Sequence, residues 1–364
     1  MGIKRTPKGK SIASSKGIDS VYSRIKTFIE RARLNVIRTV NTEMVRAYWL
    51  IGRELVEEQQ HGKERAEYGE ELIETIADRL QGEFDRGFTP TNLKYMRLFY
   101  LTYPHLLAGE NRHAVSDESV IAGVLNPNLS WTHYRLLTKV ESERARSFYE
   151  IEAARNHWSS RELERQVNSL LYERLAKSRD KKGVLALAQR GQEIHNPNDA
   201  IKDPVILEFL SLPETPRLVE SKLEEALLNH LQQFLLELGR GFSFVKRQQR
   251  LTLDRDHFYV DLVFYHTILK CYVLIDLKVA KLMHGDLGQI QLYVNYYDEH
   301  RRTEGDNSTV GLILCADKND AVVRYTLGKG NRQIFVSRYK LHLPTEEELI
   351  KELRRELMEV KKLK

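Results

Sequence analysis

The chain has 364 residues, length for about two domains, with 57 Lys and Arg against 51 Asp and Glu and a net charge of +6. No run of about 18 apolar residues occurs, which excludes a membrane-spanning helix. The basic N-terminus lacks the apolar core of a signal peptide, so the chain reads as cytoplasmic. Cys271 and Cys315, the only 2 cysteines, sit in apolar runs and read as reduced, buried thiols; a four-cysteine zinc site is excluded. The charge excess is terminal. Residues 1–50 carry 11 basic and 3 acidic side chains, whereas residues 201–364 carry 25 and 24. A basic arm suits contact with phosphates, and a solvated tail is the bland alternative.

Residues 1–18 read as a disordered basic tail, and 19–190 as an all-helical domain. Ile25, Phe28, Ile29, Ala32, Val36 and Val40 form one stripe at helical spacing. A second helix runs from Tyr68 to Phe84, and a third starts at Thr89-Pro90, a cap residue followed by Pro at the first helical position. Further helices start near Ser130 and Ser159, the latter with Glu162 completing a capping box. The helix, Gly-containing turn and helix of residues 70–100 are compatible with a helix-turn-helix. Asn92, Lys94, Tyr95 and Arg97 on its second helix are types able to touch bases or phosphates. The alternative is a domain for oligomerisation or protein binding.

Residues 191–219, with Asn196-Pro197-Asn198, Pro204, Pro213 and Pro216, read as a connector with a short helical piece at Val205–Leu210. An α/β domain spans 220–344. Its helix, Glu220–Leu238, ends at Gly239, and strands follow near Phe242–Arg250, Phe258–Tyr265 and Cys271–Leu277. A helix at Asp286–Tyr297, a strand at Val310–Cys315, a helix at Asp320–Leu327 and a strand at Gln333–Ser337 complete it. This order predicts a mixed central sheet flanked by helices, and an α+β fold overall. Thr345 and Glu348 cap a charged C-terminal helix, 345–364.

Two acids stand where apolar residues belong. Asp261 lies in Tyr259-Val260-Asp261-Leu262-Val263-Phe264, and Asp276 in Tyr272-Val273-Leu274-Ile275-Asp276-Leu277-Lys278. A buried carboxylate is costly without a cation, donors or a metal. Strand alternation puts Asp276 and Lys278 on one face, with Leu277 pointing away. The spacing between the two acids suits neighbouring strands joined by a hairpin at Thr267–Lys270. A structural Asp–Lys pair is the bland reading. A third acid weighs against it, because Glu224 falls at the edge of the stripe Leu223, Leu227, Leu231, Phe234 and Leu238. Glu220 is the second choice, and Glu225 falls on the solvated side. Three hard oxygen ligands and one Lys suit Mg²⁺ and phosphoryl chemistry. Lys278 would orient or deprotonate the attacking water, or stabilise transition-state charge. Phosphate-cradling glycine loops are absent, so no nucleotide cofactor is implied.

Asp261, followed after fourteen residues by Asp276-Leu277-Lys278, resembles the PD-(D/E)XK nuclease pattern, with Val260 in place of its Pro. Gln289-Ile290-Gln291-Leu292-Tyr293 resembles the QxxxY motif of some members. Leu236-Glu237-Leu238-Gly239-Arg240-Gly241-Phe242, Tyr293-Val294-Asn295-Tyr296-Tyr297 and, upstream, Tyr48-Trp49-Leu50-Ile51-Gly52 and Leu129-Ser130-Trp131-Thr132-His133-Tyr134 are similar to the YhcG-like family. That resemblance covers residues 20–350. It implies a restriction-endonuclease-like domain behind a helical one and a catalytic set of Glu224, Asp261, Asp276, Lys278, Gln289 and Tyr293. The implied metal set is Asp261, Asp276, Leu277 and Glu224. Gln248, on the strand before Asp261, is a further polar candidate for nucleic-acid contact beside Asn92, Lys94 and Arg97. The expected activity is Mg²⁺-dependent (or Mn²⁺-dependent) DNA hydrolysis by a homo-oligomer, such as a dimer, with no membrane partner. The alternatives are an RNA nuclease and a binding or interaction module on a nuclease fold.

Overall fold

The computed structural model describes residues 13–61, 66–84, 87–106, 125–177, 181–212, 219–328, 330–345 and 347. Its contacts divide the chain into two units, Met1–Lys139 and Val140–Lys364. Most of the expected basic tail and C-terminal helix lies outside the described residues. Residues 13–18, expected to be disordered, form the first turns of a helix instead.

The first unit comprises α1 (Ala13–His61), α2 (Ala66–Phe84), α3 (Pro90–Thr102) and α4 (Trp131–Leu137). Thr89 starts α3 as expected: its backbone is extended, its hydroxyl accepts the Asn92 N–H, and Pro90 lacks the N–H that would go unpaired there. Leu55, Ile73, Ala77, Leu93 and Met96 form the core. A Cβ at Gly52 would collide with the Met96 carbonyl, so glycine lets α1 and α3 approach closely. Among the described residues no helix is long and apolar enough to cross a membrane.

In the second unit come α5 (Glu143–Arg155), α6 (Ser160–Asn168), α7 (Leu171–Lys177), α8 (Lys181–Arg190) and the short α9 (Pro197–Ala200). Ser159 and Glu162 close the expected capping box on α6. Then follow β1 (Val205–Ile206), α10 (Glu220–Asn229), α11 (Leu231–Leu238), β2 (Phe242–Leu253), β3 (Asp256–His266), β4 (Cys271–Lys281), α12 (His284–His300), β5 (Val310–Asp317), α13 (Asp320–Leu327) and β6 (Ile334–Lys340). Two local expectations change. The piece at Val205–Leu210 is a strand followed by a 3₁₀ turn, because Val205 and Ile206 pair with Tyr339 and Lys340 at the sheet edge. The helix expected over Glu220–Leu238 is two helices, since His230 leaves helical geometry between them.

The six strands form one mixed sheet in the order β1-β6-β5-β4-β3-β2. The meander β2-β3-β4 is antiparallel, and β4, β5, β6 and β1 run parallel. On one face Leu223 and Leu227 of α10 and Phe234 and Leu238 of α11 pack with Leu262, Phe264, Val273 and Ile275. On the other, Leu287, Ile290, Tyr293 and Val294 of α12 pack with Val263, Leu274, Ile313 and Val336. At Gly311 a Cβ would lie 2.7 Å from Ile290 and 2.9 Å from Val294, so only glycine seats α12 this tightly on β5. Both cysteines are free and buried.

Candidate active site

The antiparallel ladder between β3 and β4 runs from His266↔Cys271 to Leu262↔Ile275, joined by the expected turn. In that register Asp261 and Asp276 stand opposite one another, one step past the last ladder pair. There the strands open, and the Leu277 N–H donates to Asp261 Oδ2 at 2.8 Å instead of to a strand carbonyl. A side chain has replaced the ladder acceptor. Leu277 therefore contributes through its main chain, while its side chain is buried in the core.

Glu224, on α10, is buried as its position at the stripe edge predicts, and Glu225 is exposed. Gln248 links Glu224 to the strands: its Nε2 donates to Glu224 Oε2 at 2.6 Å and to Asp261 Oδ1 at 3.0 Å. Its φ is +43°, a left-handed conformation within a strand that costs about 1–3 kcal/mol for a non-glycine residue. The strain sits at the residue that spans two acids.

Asp276 and Lys278 share the face of Leu274. Lys278 Nζ lies 3.1 Å from the buried Asp276 Oδ2. Burial pushes the Asp276 carboxyl up to about 7; Lys278 opposes the shift and the neighbouring Asp261 adds to it. Burial also raises Glu224, against the Gln248 hydrogen bond and with the help of Asp261. For Lys278, burial favours the neutral amine, but Asp276, with Glu220 and Asp286 behind it, holds the pKa above the ordinary value. Glu220 is exposed and acts on Lys278 through its charge.

Gln289 and Tyr293 lie on the α12 side of the same site. Gln289 Nε2 donates to Tyr293 Oη at 2.5 Å. The phenol is raised by burial, against the Gln289 bond, and senses the charges of Asp276, Asp261 and Lys278. Asn92, Lys94 and Arg97 lie in the first unit, where they have intramolecular partners. Asn92 donates to the Gly87 carbonyl at 2.7 Å and accepts from Trp131 Nε1 at 2.9 Å. Arg97 donates to Gln59 at 3.2 Å, and Lys94 lies 3.8 Å from Glu70.

Among the described residues, no group of three or more His, Cys, Asp or Glu side chains is gathered to hold an ion. The physical reason is visible, since the Gln248 amide is interposed between Glu224 and Asp261. The donor set still fits a hard divalent cation: it is all oxygen, and the buried Asp276 carboxylate stands near a second acid with one ammonium against it. Asp261 and Asp276 would hold the ion, with Glu224 entering once the amide moves.

Sequence reasoning missed a further buried acid, Glu237, which is fully enclosed on α11. Its carboxylate accepts from Arg174 at 2.5 Å, Arg165 at 3.1 Å and the Ile206 N–H at 3.0 Å. Its only local signal is being the one charge in Phe234-Leu235-Leu236-Glu237-Leu238-Gly239.

Residues 198–358 match the family model described as the YhcG PDDEXK nuclease domain, and residues 24–174 match the DUF1016 N-terminal domain. The chain is 38% identical over 363 residues to the protein named "Putative nuclease YhcG" of Escherichia coli (strain K12), covering 94% of this chain and 95% of that one. Among solved structures, a repair endonuclease from Pyrococcus abyssi aligns at 19% identity over 36% of this chain and 50% of that chain, with a TM-score of 0.24, too low to bear on the fold. PDDEXK nucleases generally use divalent metal ions. The chain belongs to the YhcG family, a helical N-terminal domain joined to a PDDEXK nuclease domain.

Proposed function

We propose that the protein is a divalent-metal-dependent endonuclease that hydrolyses phosphodiester bonds in DNA. One observation carries the proposal: the Asp276 carboxylate is held buried beside a second acid, Asp261, with the Lys278 ammonium 3.1 Å away. A purely structural ion pair would need no second acid beside it, and the excess negative charge suits a cation. A bound Mg²⁺, or Mn²⁺ in its place, supplies an activated water and neutralises charge on the phosphate.

The chain's own groups do the rest. Asp261 and Asp276 would hold the ion, and Leu277 N–H and Gln248 fix the Asp261 carboxylate in place. Glu224 holds the ion or positions the attacking water. Lys278, whose charge is retained next to Asp276, is placed to donate a hydrogen bond to a phosphate oxygen as negative charge develops there. Tyr293 keeps its proton and is oriented by Gln289.

The test is cleavage of linear, nicked and branched DNA, and of RNA, with Mg²⁺ or Mn²⁺. Metal-dependent cutting of DNA, lost in Asp276→Ala and Asp261→Ala, is the expected result. Cutting of RNA alone would reassign the substrate. Absence of cutting on every substrate, or cutting unchanged in Asp276→Ala, would overturn the proposal.

A further inference from the structure

The β2–β3 hairpin carries a row of exposed groups that leads into the site. Along β3 Val260 is buried and Phe258 half-buried, whereas His257 and Tyr259 are exposed; the alternation shifts at the half-buried Asp261, since Val260 packs on the α12 face and Leu262 on the α10–α11 face. Along β2 Leu251 is buried, and Gln248, Arg250 and Thr252 are exposed. The register sets these outward residues side by side, Thr252 with His257 and Arg250 with Tyr259. Gln248 is joined to Asp261 by a side-chain hydrogen bond of 3.0 Å. The row therefore reads Thr252/His257, Arg250/Tyr259, Gln248/Asp261. Successive pairs on one face of a regular strand are about 6.6–6.8 Å apart; the left-handed Gln248 interrupts that regularity, and Arg250 and Tyr259 each lie two residues along their strand from the bonded Gln248 and Asp261.

Tyr259 is 47% exposed and stacks on no other aromatic ring among the described residues. Arg250 is exposed, and no carboxylate lies within ion-pair distance of it among the described residues. β2 is the edge strand of the sheet, with no further strand paired beyond it among the described residues. A guanidinium and a phenol ring as cross-strand neighbours offer a phosphate contact and a flat face for a base. A base can reach such a ring only when it is not paired and stacked within a duplex.

Building on the nuclease reading, we propose that Arg250 and Tyr259 form a nucleotide subsite in which Tyr259 stacks an unpaired base next to the scissile phosphodiester and Arg250 holds its phosphate. The preferred substrate class is then nucleic acid with a single-stranded segment at the cut, such as an overhang, flap or gap, and not a fully paired duplex. Neither residue performs chemistry; both position the strand.

The test measures binding by fluorescence anisotropy in the full chain carrying Asp276→Asn, with Mg²⁺, on a blunt duplex and on the same duplex bearing a single-stranded overhang. The overhang should bind more tightly. Tyr259→Ala should weaken overhang binding about tenfold, the scale of one lost base–aromatic stack, leave blunt-duplex binding unchanged, and be rescued by Tyr259→Phe. Arg250→Ala should weaken binding and lower the salt slope by about 0.7. Equal loss on both substrates, no loss, or failure of Phe to rescue would overturn the subsite. Cleavage by the otherwise unaltered chain is run in parallel with Asp261→Ala. If Asp261→Ala abolishes cutting while Tyr259→Ala binds normally, only the subsite falls. If Asp261→Ala still cuts, the nuclease reading itself falls.

Discussion

Glu237 and Asp276 are both buried carboxylates in the second unit, and their surroundings push them in opposite directions. Glu237 is enclosed by Arg174, Arg165, Lys202 and the Ile206 N–H. Although burial opposes ionisation, those cations pull its pKa down to about 2. The Lys202 ammonium beside it donates to the Glu237 main-chain carbonyl, and burial lowers that Lys to about 8. Asp276 has one cation beside it and another acid nearby, and burial lifts it to about 7. The first arrangement ties α6, α7 and β1 to α11 and leaves little for a ligand to improve. The second leaves ionisation unfavourable until a further cation offsets the burial and the neighbouring acid. Low energy marks a brace, and stored electrostatic cost marks a site for chemistry.

Substitutions at the two acids should therefore have opposite signs. Glu237→Ala removes the acceptor from Arg174, Arg165 and the Ile206 N–H and should destabilise the fold by about 3–5 kcal/mol, seen as a fall in the denaturation midpoint. Asp276→Asn removes a charge that burial disfavours and should stabilise the metal-free protein at pH 8 by an amount on the order of 2 kcal/mol. A loss of stability in Asp276→Asn would mean that its ion pair with Lys278 is a brace after all.

The pH dependence of stability follows the same division. Asp276, with its folded pKa raised to about 7, contributes stability that is complete below its unfolded pKa of about 4 and is lost as pH rises through about 7. Glu237, lowered to about 2, contributes stability that is complete above about pH 4.5 and is lost as pH falls toward 2. Thermal melts of the metal-free chain should fall on both sides of about pH 5, and Asp276→Asn should flatten only the alkaline side. The smallest effect is expected at Gln248. Gln248→Gly relieves the left-handed backbone but removes the amide between Glu224 and Asp261, so stability should change by no more than about 1 kcal/mol. Cleavage should need a different metal concentration in that variant, and an unchanged metal dependence would deny the amide its part in the site.

Much of this was legible in the residues because it depends on short-range periodicity. Asp261 and Asp276 break apolar strands, and their spacing demands a hairpin that the Leu262↔Ile275 register realises. Glu224 follows from its angle on one helix stripe. Thr89-Pro90 and Ser159 with Glu162 mark helix starts through bonds to residues three positions on. What stayed hidden depends on distant partners or on backbone conformation. Glu237 meets Arg165 and Arg174 from 72 and 63 positions away, so no local pattern distinguishes it from a solvated helix Glu. The strained φ of Gln248 has no glycine to announce it. The strand at Val205–Ile206 forms only because β6 offers an edge, whereas the surrounding prolines advertise a loop. Packing also places the helices between 140 and 190 with the sheet, although their composition continues that of the helices before them.

The most direct test joins stability and activity in one variant. Wild-type and Asp276→Asn proteins are compared at pH 8 for melting temperature without metal and for DNA cleavage with Mg²⁺. The account predicts that Asp276→Asn melts at a higher temperature than wild type and cuts no DNA. A variant that melts lower, or that still cuts, would contradict it.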